Sequence, residues 1–272
     1  MRFAICNELF EGWEFARVAR FAASLGYSGL ELAPYTLAEH VDDLSPVRRR
    51  ELRAIAADHG LAITGLHWLL VKPPGLHVCH PGAEVRRHTV DYLRKLIDLC
   101  GDLGGEIMVF GSPNQRSLGP TTTRAEGWQW AIDTFAACGA AAAARGVTLC
   151  LEALPASLTN LLNTNAEVRA MVAAIDHPHI RMMIDVKSMC AEPLPVPDNI
   201  RECAGWFRYV HANDTNLQGP GFGAVDFKPI LGTLREVGYG GFVSVEVFDF
   251  TAGPEATAQR SLEYLQQCLP PP

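Results

Sequence analysis

The chain has 272 residues, of which 48% are hydrophobic and 19% are charged, a composition typical of a folded globular protein and not of a disordered one. Its formal net charge of −7 argues against a general nucleic-acid-binding surface, because such surfaces depend on clustered Lys and Arg. The length suffices for one large domain, and no linker-like or low-complexity segment divides it. We therefore expect residues 1–272 to form a single domain.

Short apolar segments alternate along the chain with longer segments of helical periodicity. The candidate strands are 3–6, 29–32, 62–67, 106–110, 147–152, 180–185, 207–211 and 242–247. The candidate helices are 13–25, 46–59, 82–103, 122–145, 165–176, 198–204, 226–237 and 255–268. Apolar strands joined through helices are typical of a parallel sheet. Eight such units predict an α/β protein with a (β/α)8 TIM barrel fold, and a doubly wound open sheet is the alternative.

The cysteines and the N-terminal segment indicate the cellular environment. Eight cysteines are scattered without a CxxC pair, which indicates neither a disulfide framework nor a zinc-thiolate site. Residues 1–13 lack a basic region followed by a continuous apolar stretch, and no segment reaches about 18 consecutive apolar residues. We therefore expect a cytoplasmic protein with reduced thiols, and neither a membrane nor a nucleic acid as partner.

Four strand candidates in the second half end in, or close to, a residue type that binds metals. Glu152 closes the fifth, Asp185 the sixth and His211 the seventh, and Glu246 lies near the end of the eighth. They are separated by 33, 26 and 35 residues, about the length of one βα unit each time. Each residue alone is as readily explained by a salt bridge or a helix cap. Their common position predicts that the four side chains meet at the C-terminal rim, where active sites of this fold are built.

Three carboxylates and one imidazole form a ligand set for a divalent cation. Oxygen-rich sets without thiolate suit the harder ions, which favours Mn²⁺, with Mg²⁺, Co²⁺ or Zn²⁺ as alternatives.

Other polar and aromatic residues are predicted to lie at the same rim. His67 closes the third strand candidate and is followed by Trp68, which could stack on a sugar ring. A packed histidine is the alternative interpretation for His67. Asn114 and Arg116 follow the fourth strand candidate, where polar side chains could bind sugar hydroxyls. We expect all four residues to contact substrate.

The order Glu, Asp, His, Glu, together with the segment HANDTNLQGPGFGAVDF (211–227), resembles the xylose isomerase-like superfamily of sugar isomerases and epimerases. The most similar group is that of the D-tagatose 3-epimerases, or ketose 3-epimerases. The resemblance covers the layout of the whole chain, but only the four ligands and the segment after strand 7 are specific.

The resemblance implies a metal-dependent epimerase of a ketose or related keto-polyol that acts through a cis-enediolate. It implies that Glu152, Asp185, His211 and Glu246 bind the metal, and that Glu152 and Glu246 are also the catalytic acid and base. It also implies a small-molecule sugar or keto-polyol as partner, and a homodimer or homotetramer is consistent with the superfamily.

Three positions depart from the family pattern. A histidine is common where this chain has Ser188, an arginine where it has Leu217, and a glutamate where it has Leu158. The residues that bind the sugar are therefore expected to differ from those of a standard ketose epimerase, with Ser188 as a predicted substrate contact and Lys187 as a residue that could supply a missing one. A cyclitol ketone, a keto-glycoside, a hydroxy-keto acid and a phosphorylated sugar all stay open as substrates.

Three other functions are compatible with the same fold. A keto-polyol or inosose dehydratase would share the enediolate step and then eliminate water. An abasic-site endonuclease would need further metal ligands where this chain has Ser188 and the residues VDF (225–227), and the acidic composition also argues against it. An accessory protein without turnover would not need four ligand-type residues.

Overall fold

The computed structural model of the protein describes residues 1–269. Eight parallel strands close into a barrel in sequence order. They are β1 Arg2–Cys6, β2 Gly29–Leu32, β3 Ala62–Leu66, β4 Ile107–Phe110, β5 Thr148–Leu151, β6 Ile180–Asp185, β7 Phe207–Ala212 and β8 Phe242–Val245. Pairing of β1 with β8 closes the barrel. This confirms the predicted TIM barrel and excludes the open sheet.

Helices surround the barrel and connect its strands. They are α1 Phe15–Leu25, α2 Pro46–Asp58, α3 Ala83–Leu103, α4 Arg124–Ala136, α5 Gly139–Arg145, α6 Asn165–Ile175, α7 Val186–Met189, α8 Val196–Glu202, α9 Phe227–Glu236 and α10 Pro254–Cys268. Short 3₁₀ turns occur at Asn7–Phe10, Pro34–Thr36 and Val41–Asp43. None of the helices between residues 1 and 269 has the length and hydrophobicity needed to cross a bilayer.

One predicted helix was wrong in its extent. Residues 122–145 form two helices, α4 and α5, with a break at Ala137 and Cys138. Gly139, the first residue of α5, packs so closely against the ring of His177 that a Cβ there would come within 2.8 Å of it. Glycine also lowers helix stability by about 1 kcal/mol relative to alanine, which favours an interruption here.

Side-chain caps fix where several helices begin at the rim. Ser45 Oγ accepts a hydrogen bond from Arg48 N at α2, and Thr123 forms a capping box with Glu126 at α4. Such caps stabilise a helix by about 1 kcal/mol each. They therefore help to set the lengths of the rim loops that precede them.

The inner face of the barrel supports the site from below. Val109, Cys150, Met183 and Tyr209 form a buried apolar cluster separate from the main core between barrel and helices. Side chains two residues apart on a strand point to the same face. The side chains two positions further along these strands, Glu152, Asp185 and His211, therefore point over the barrel interior at its C-terminal end.

Candidate metal centre and active site

The four residues predicted to bind metal lie at one end of the barrel. Glu152 directly follows β5, Asp185 ends β6, His211 lies one residue before the end of β7, and Glu246 directly follows β8. All four are buried, with at most 6% of their surface exposed. Asp185 and His211 are register partners in the β6–β7 pairing, which places them side by side.

The structure brings these four side chains together. One ligand atom each of Glu152, Asp185 and His211 lies within 4.8 Å of the others. Glu246 Oε2 lies 3.1 Å from His211 Nδ1, which joins the fourth residue to the group. Four residues remote in sequence therefore surround one small volume.

Asn213 fixes two of the carboxylates. Its Nδ2 donates to Asp185 Oδ2 at 2.5 Å and to Glu246 Oε2 at 3.4 Å. Its Oδ1 accepts a hydrogen bond from the Lys187 amide at 2.9 Å. The sequence analysis did not identify this fully buried residue. Its position two residues after His211 is the signal that could have found it, because that spacing continues the inner face of β7.

His211 is held from behind by a buried carboxylate. Its Nε2 donates to Glu31, at 3.1 Å from each carboxylate oxygen. Glu31 lies on β2, is fully buried, and also accepts a hydrogen bond from Cys6 Sγ at 3.3 Å. Cys6 and Glu31 are register partners in the β1–β2 pairing. A carboxylate on the far nitrogen of a metal-binding histidine fixes the orientation of its ring.

His67 connects Glu246 to a second buried carboxylate. Its Nδ1 lies 3.3 Å from Glu246 Oε1 and its Nε2 lies 2.8 Å from Glu8 Oε2. Glu8 lies in the 3₁₀ turn after β1 and is 4% exposed. Each oxygen of Glu246 thus faces an imidazole, and each imidazole faces another carboxylate. Glu8 was not found from the sequence, because no pattern links it to a histidine 59 residues away.

These contacts shift the titration of both histidines and of Glu246. Burial alone lowers the pKa of His67, but the charges of Glu8 and Glu31 outweigh it and raise the pKa to about 10. The pKa of His211 is raised by Glu246 and Glu31 against the same effect of burial. Burial favours a raised pKa for Glu246, but the charges and hydrogen bonds of the two imidazoles hold it well below its usual range.

Glu152 has a different environment. Burial, and then the charges of Asp185 and Glu246, raise its pKa to about 8. Among residues 1–269 no side chain donates a hydrogen bond to its carboxylate. Gly111 makes room for it, since a Cβ at Gly111 would lie 1.8 Å from Glu152 Oε2.

A pocket opens from the carboxylates to the surface. Both Glu152 and Glu246 line it, whereas Asp185 and His211 lie outside its lining. Its other lining residues are His67, Trp68, Val109, Gly111, Pro113, Leu154, Leu158, Lys187 and Phe248. A molecule in this pocket would contact both glutamates.

The expected sugar contact of Arg116 is corrected by the structure. Arg116 is fully buried and lies outside the pocket lining. Its guanidinium donates to the backbone carbonyls of Glu152 at 2.6 Å, Phe110 at 3.0 Å and Ser112 at 3.3 Å. These bonds engage all three nitrogens of the guanidinium, so Arg116 joins the end of β5 to the loop after β4.

The remaining predicted substrate contacts are divided. His67, Trp68 and Lys187 line the pocket. Asn114 is exposed and outside the lining. Ser188 is 4% exposed, and its amide donates to Asp185 Oδ1 at 2.7 Å, so its backbone orients a ligand-type carboxylate.

The donor set fits a divalent cation. Asp185, Glu246 and Glu152 are crowded together, and burial and the charges of the other two carboxylates raise the pKa of Glu152 by more than the charges of His211 and Arg116 lower it. Carboxylate oxygens and one imidazole nitrogen are ligands suited to Mn²⁺, Mg²⁺ and related ions. A cation among these side chains would neutralise charges that they leave unbalanced.

Comparisons with known proteins agree with this fold. The sequence pattern of the family described as "Xylose isomerase-like TIM barrel" matches residues 19–268. The chain is similar to a D-psicose 3-epimerase of Ruminiclostridium cellulolyticum, with 26% identity over 83% of this chain and 75% of that protein. It is 27% identical to an L-ribulose 3-epimerase of Mesorhizobium japonicum, over 86% of this chain and 76% of that protein.

Solved structures show the same architecture. A D-psicose 3-epimerase of Clostridium cellulolyticum H10, determined with D-tagatose, superposes with a TM-score of 0.87 at 22% identity, covering 99% of both chains. The curated relatives support the prediction that the chain is an enzyme of the isomerase and epimerase class. The match over residues 19–268, together with the closed barrel, shows that the chain belongs to the xylose isomerase-like TIM barrel family.

Proposed function

We propose that the protein is a divalent-metal-dependent epimerase of a keto sugar, acting through a cis-enediolate in the manner of a ketose 3-epimerase. The observation that carries the proposal is that Glu152 and Glu246 line one pocket while belonging to one cluster of metal-ligand side chains. The similarity to D-psicose and L-ribulose 3-epimerases supports it.

Glu152, Asp185, His211 and Glu246 are the residues that would hold the cation, with Mn²⁺ proposed and Mg²⁺, Co²⁺ or Zn²⁺ as alternatives. When bound, the cation would polarise the ketone oxygen of the substrate and stabilise the negative charge of the enediolate. That chemistry is needed because a proton next to a carbonyl is too weakly acidic to leave at neutral pH.

The two glutamates move the proton. One carboxylate removes it from the carbon next to the carbonyl, and the other carboxyl returns a proton to the opposite face, which inverts that carbon. The roles exchange between the two epimers of the substrate. Positioned proton transfer of this kind contributes about 10²- to 10⁴-fold to the rate.

The surrounding residues keep the two glutamates in position. His67 and Asn213 fix the carboxylate of Glu246, and Arg116 fixes the backbone of Glu152. A cytoplasmic location and a dimeric or tetrameric assembly stay predictions from the sequence.

The test is exchange of a substrate proton with solvent. The protein loaded with Mn²⁺ is incubated in D₂O with a panel of ketoses and keto-glycosides, and the products are read by NMR and mass spectrometry. We expect deuterium at a carbon next to the carbonyl and appearance of the epimer, both abolished by EDTA and restored by Mn²⁺. A product that has lost water relative to the substrate would instead identify a dehydratase. Absence of deuterium from every keto sugar would contradict the proposal.

A further inference from the structure

The outer part of the pocket is apolar, in contrast to the carboxylates at its floor. Trp68, Leu158 and Phe248 lie on this outer part, which from here on is called the rim, in place of the C-terminal edge of the barrel. They come from the loops after β3, β5 and β8. Lys187 is the one lysine or arginine among the residues that line the pocket. The rim therefore offers little to a ligand that carries many hydroxyl groups.

Phe248 is the centre of the rim. The Trp68 ring packs edge-on to it with a centroid distance of 6.3 Å. Lys187 Nζ lies 4.4 Å from the centroid of the same ring. The loops after β3 and β8 thus present a pre-arranged aromatic pair, which is a low-entropy way to bind an apolar group.

Two leucines near the rim are unusually exposed. Leu158 is 48% exposed and Leu217 is 46% exposed. Backbone hydrogen bonds hold them there: the Leu158 amide donates to Pro155 O at 2.9 Å, and Leu217 O accepts from the amides of Phe248 and Asp249 at 2.8 and 2.9 Å. Fixed, exposed apolar side chains beside a pocket are typical of a binding surface.

Strained backbone is concentrated in the same loops. Among residues 1–269, four residues other than glycine have positive φ, and three of them are Trp68, Leu162 and Leu217, with φ of 52°, 61° and 70°. Leu162 accepts a hydrogen bond from the amide of Leu154, which lines the pocket. Bulky residues rarely adopt this conformation, and such strain clusters at ligand sites.

The small number of polar side chains around the rim also favours an apolar ligand. A hydroxyl group that enters a pocket without a hydrogen-bond partner loses its hydration and gains nothing in return. Around the rim, the side chains that can donate a hydrogen bond to such groups are Lys187 and the indole N–H of Trp68, because Arg116 is occupied by backbone carbonyls. An apolar group, by contrast, would cover Leu158 and the Trp68–Phe248 pair.

Resting on the function proposed above, we propose that the substrate is a keto sugar that carries an apolar, preferably aromatic, substituent, such as an aryl keto-glycoside. The keto sugar lies against Glu152 and Glu246, and the substituent packs on Trp68, Leu158 and Phe248. Lys187 binds an oxygen of the sugar. Leu158 is the specificity-determining residue that is easiest to test, because it is exposed and its substitution leaves the core intact.

The test compares two ligands that differ only in the substituent, phenyl and methyl 3-keto-β-D-glucopyranoside. Affinity is measured by calorimetry and deuterium incorporation by NMR, both with the Mn²⁺-loaded protein. We expect the phenyl compound to bind about tenfold more tightly and to have the higher kcat/KM. Leu158→Ser should reduce the phenyl preference. Val47→Ser removes a 55% exposed valine from α2, outside the pocket lining, and should retain the preference.

The outcomes separate this inference from the proposed function. Deuterium incorporation with equal affinity for both compounds would overturn the inference and leave the function standing. A phenyl preference lost in Leu158→Ser, without deuterium incorporation, would support the substituent site and contradict the epimerase. If Leu158→Ser changed the oligomeric state but kept the preference for the phenyl compound, the rim would be a contact between subunits. That result would overturn the inference.

Discussion

Glu152 and Glu246 line the same pocket, but their surroundings differ. Each oxygen of Glu246 faces an imidazole nitrogen, at 3.3 Å for His67 and 3.1 Å for His211. Glu152 has neighbouring carboxylates and the space left by Gly111. One carboxylate is therefore positioned by charge, and the other by available space and by the hold of Arg116 on its backbone. The first arrangement tolerates small steric changes, whereas the second does not.

The largest expected effect comes from removing the charge of Glu246. Glu246→Gln keeps the size of the side chain but neither accepts a proton nor matches two imidazoles. We expect deuterium exchange into a keto sugar to fall by about 10²- to 10⁴-fold, the usual contribution of a positioned acid or base. Glu84→Gln, on the exposed surface of α3, is the control. Full activity of Glu246→Gln with an unchanged circular dichroism spectrum would refute the assigned role.

The next effect tests the space around Glu152. Gly111→Ala places a Cβ where Glu152 Oε2 now lies, so the carboxylate must move. A displacement of about 1 Å in a catalytic group can reduce the rate about 10²-fold, and we expect a kcat loss of that order. Gly119→Ala, in the same loop, meets no atom within 4 Å and should be neutral. Equal activity of the two variants would mean that Glu152 does not need its present position.

A smaller effect is expected at the carboxylate behind His211. Glu31→Gln removes the charge that holds Nε2 and so loosens the ring. Loss of such a partner typically weakens metal binding 10- to 100-fold, and calorimetric titration with Mn²⁺ would measure it. Glu8→Gln is the matched comparison, because Glu8 contacts His67 and not His211. We expect Glu8→Gln to reduce kcat more than metal affinity, and the reverse order would contradict the assignment.

The last effect concerns pH. The pKa of Glu152 is raised to about 8 from an ordinary value of 4.5, so the folded protein binds this proton more tightly than the unfolded chain. Its contribution to stability therefore falls as pH rises from about 4.5 to about 8. A cation must displace the same proton, so affinity for Mn²⁺ should increase with pH up to about 8. Mn²⁺ titrations at several pH values across this interval should show that affinity rises less steeply with pH in Glu152→Gln than in the unchanged protein. An equally steep rise would refute the link.

The fold, and the common position of the four side chains proposed to bind the metal, could largely be predicted from the sequence. Apolar segments placed the strands within about two residues because each strand is buried on both faces. Glu152, Asp185 and His211 were identifiable because a charged or imidazole side chain at the end of such a segment is conspicuous. The spacing of one βα unit then indicated that the strand ends are neighbours.

The contacts of the supporting residues could not be predicted in the same way. Glu8 and Glu31 become important only through histidines on other strands, and His67 lies 179 residues from Glu246 in sequence. Arg116 has the sequence context of an exposed loop residue, and its burial depends on three carbonyls that only the folded chain brings together. Long-range contacts of this kind leave no local periodicity.

The origin of these residues in the chain has a consequence for fragments of the protein. Strands β5–β8 and the residues directly after them supply all four side chains proposed to bind the metal, whereas β1–β3 and the turns after them supply Glu8, Glu31 and His67. Cleavage in the exposed segment 119–121 would place the two sets on separate polypeptides. The C-terminal piece would then keep all four proposed ligands and Asn213, but it would lose Glu31 and His67, which contact His211 and Glu246. Tight cation binding would return only when the pieces associate, so the bound ion would report reassembly of the barrel.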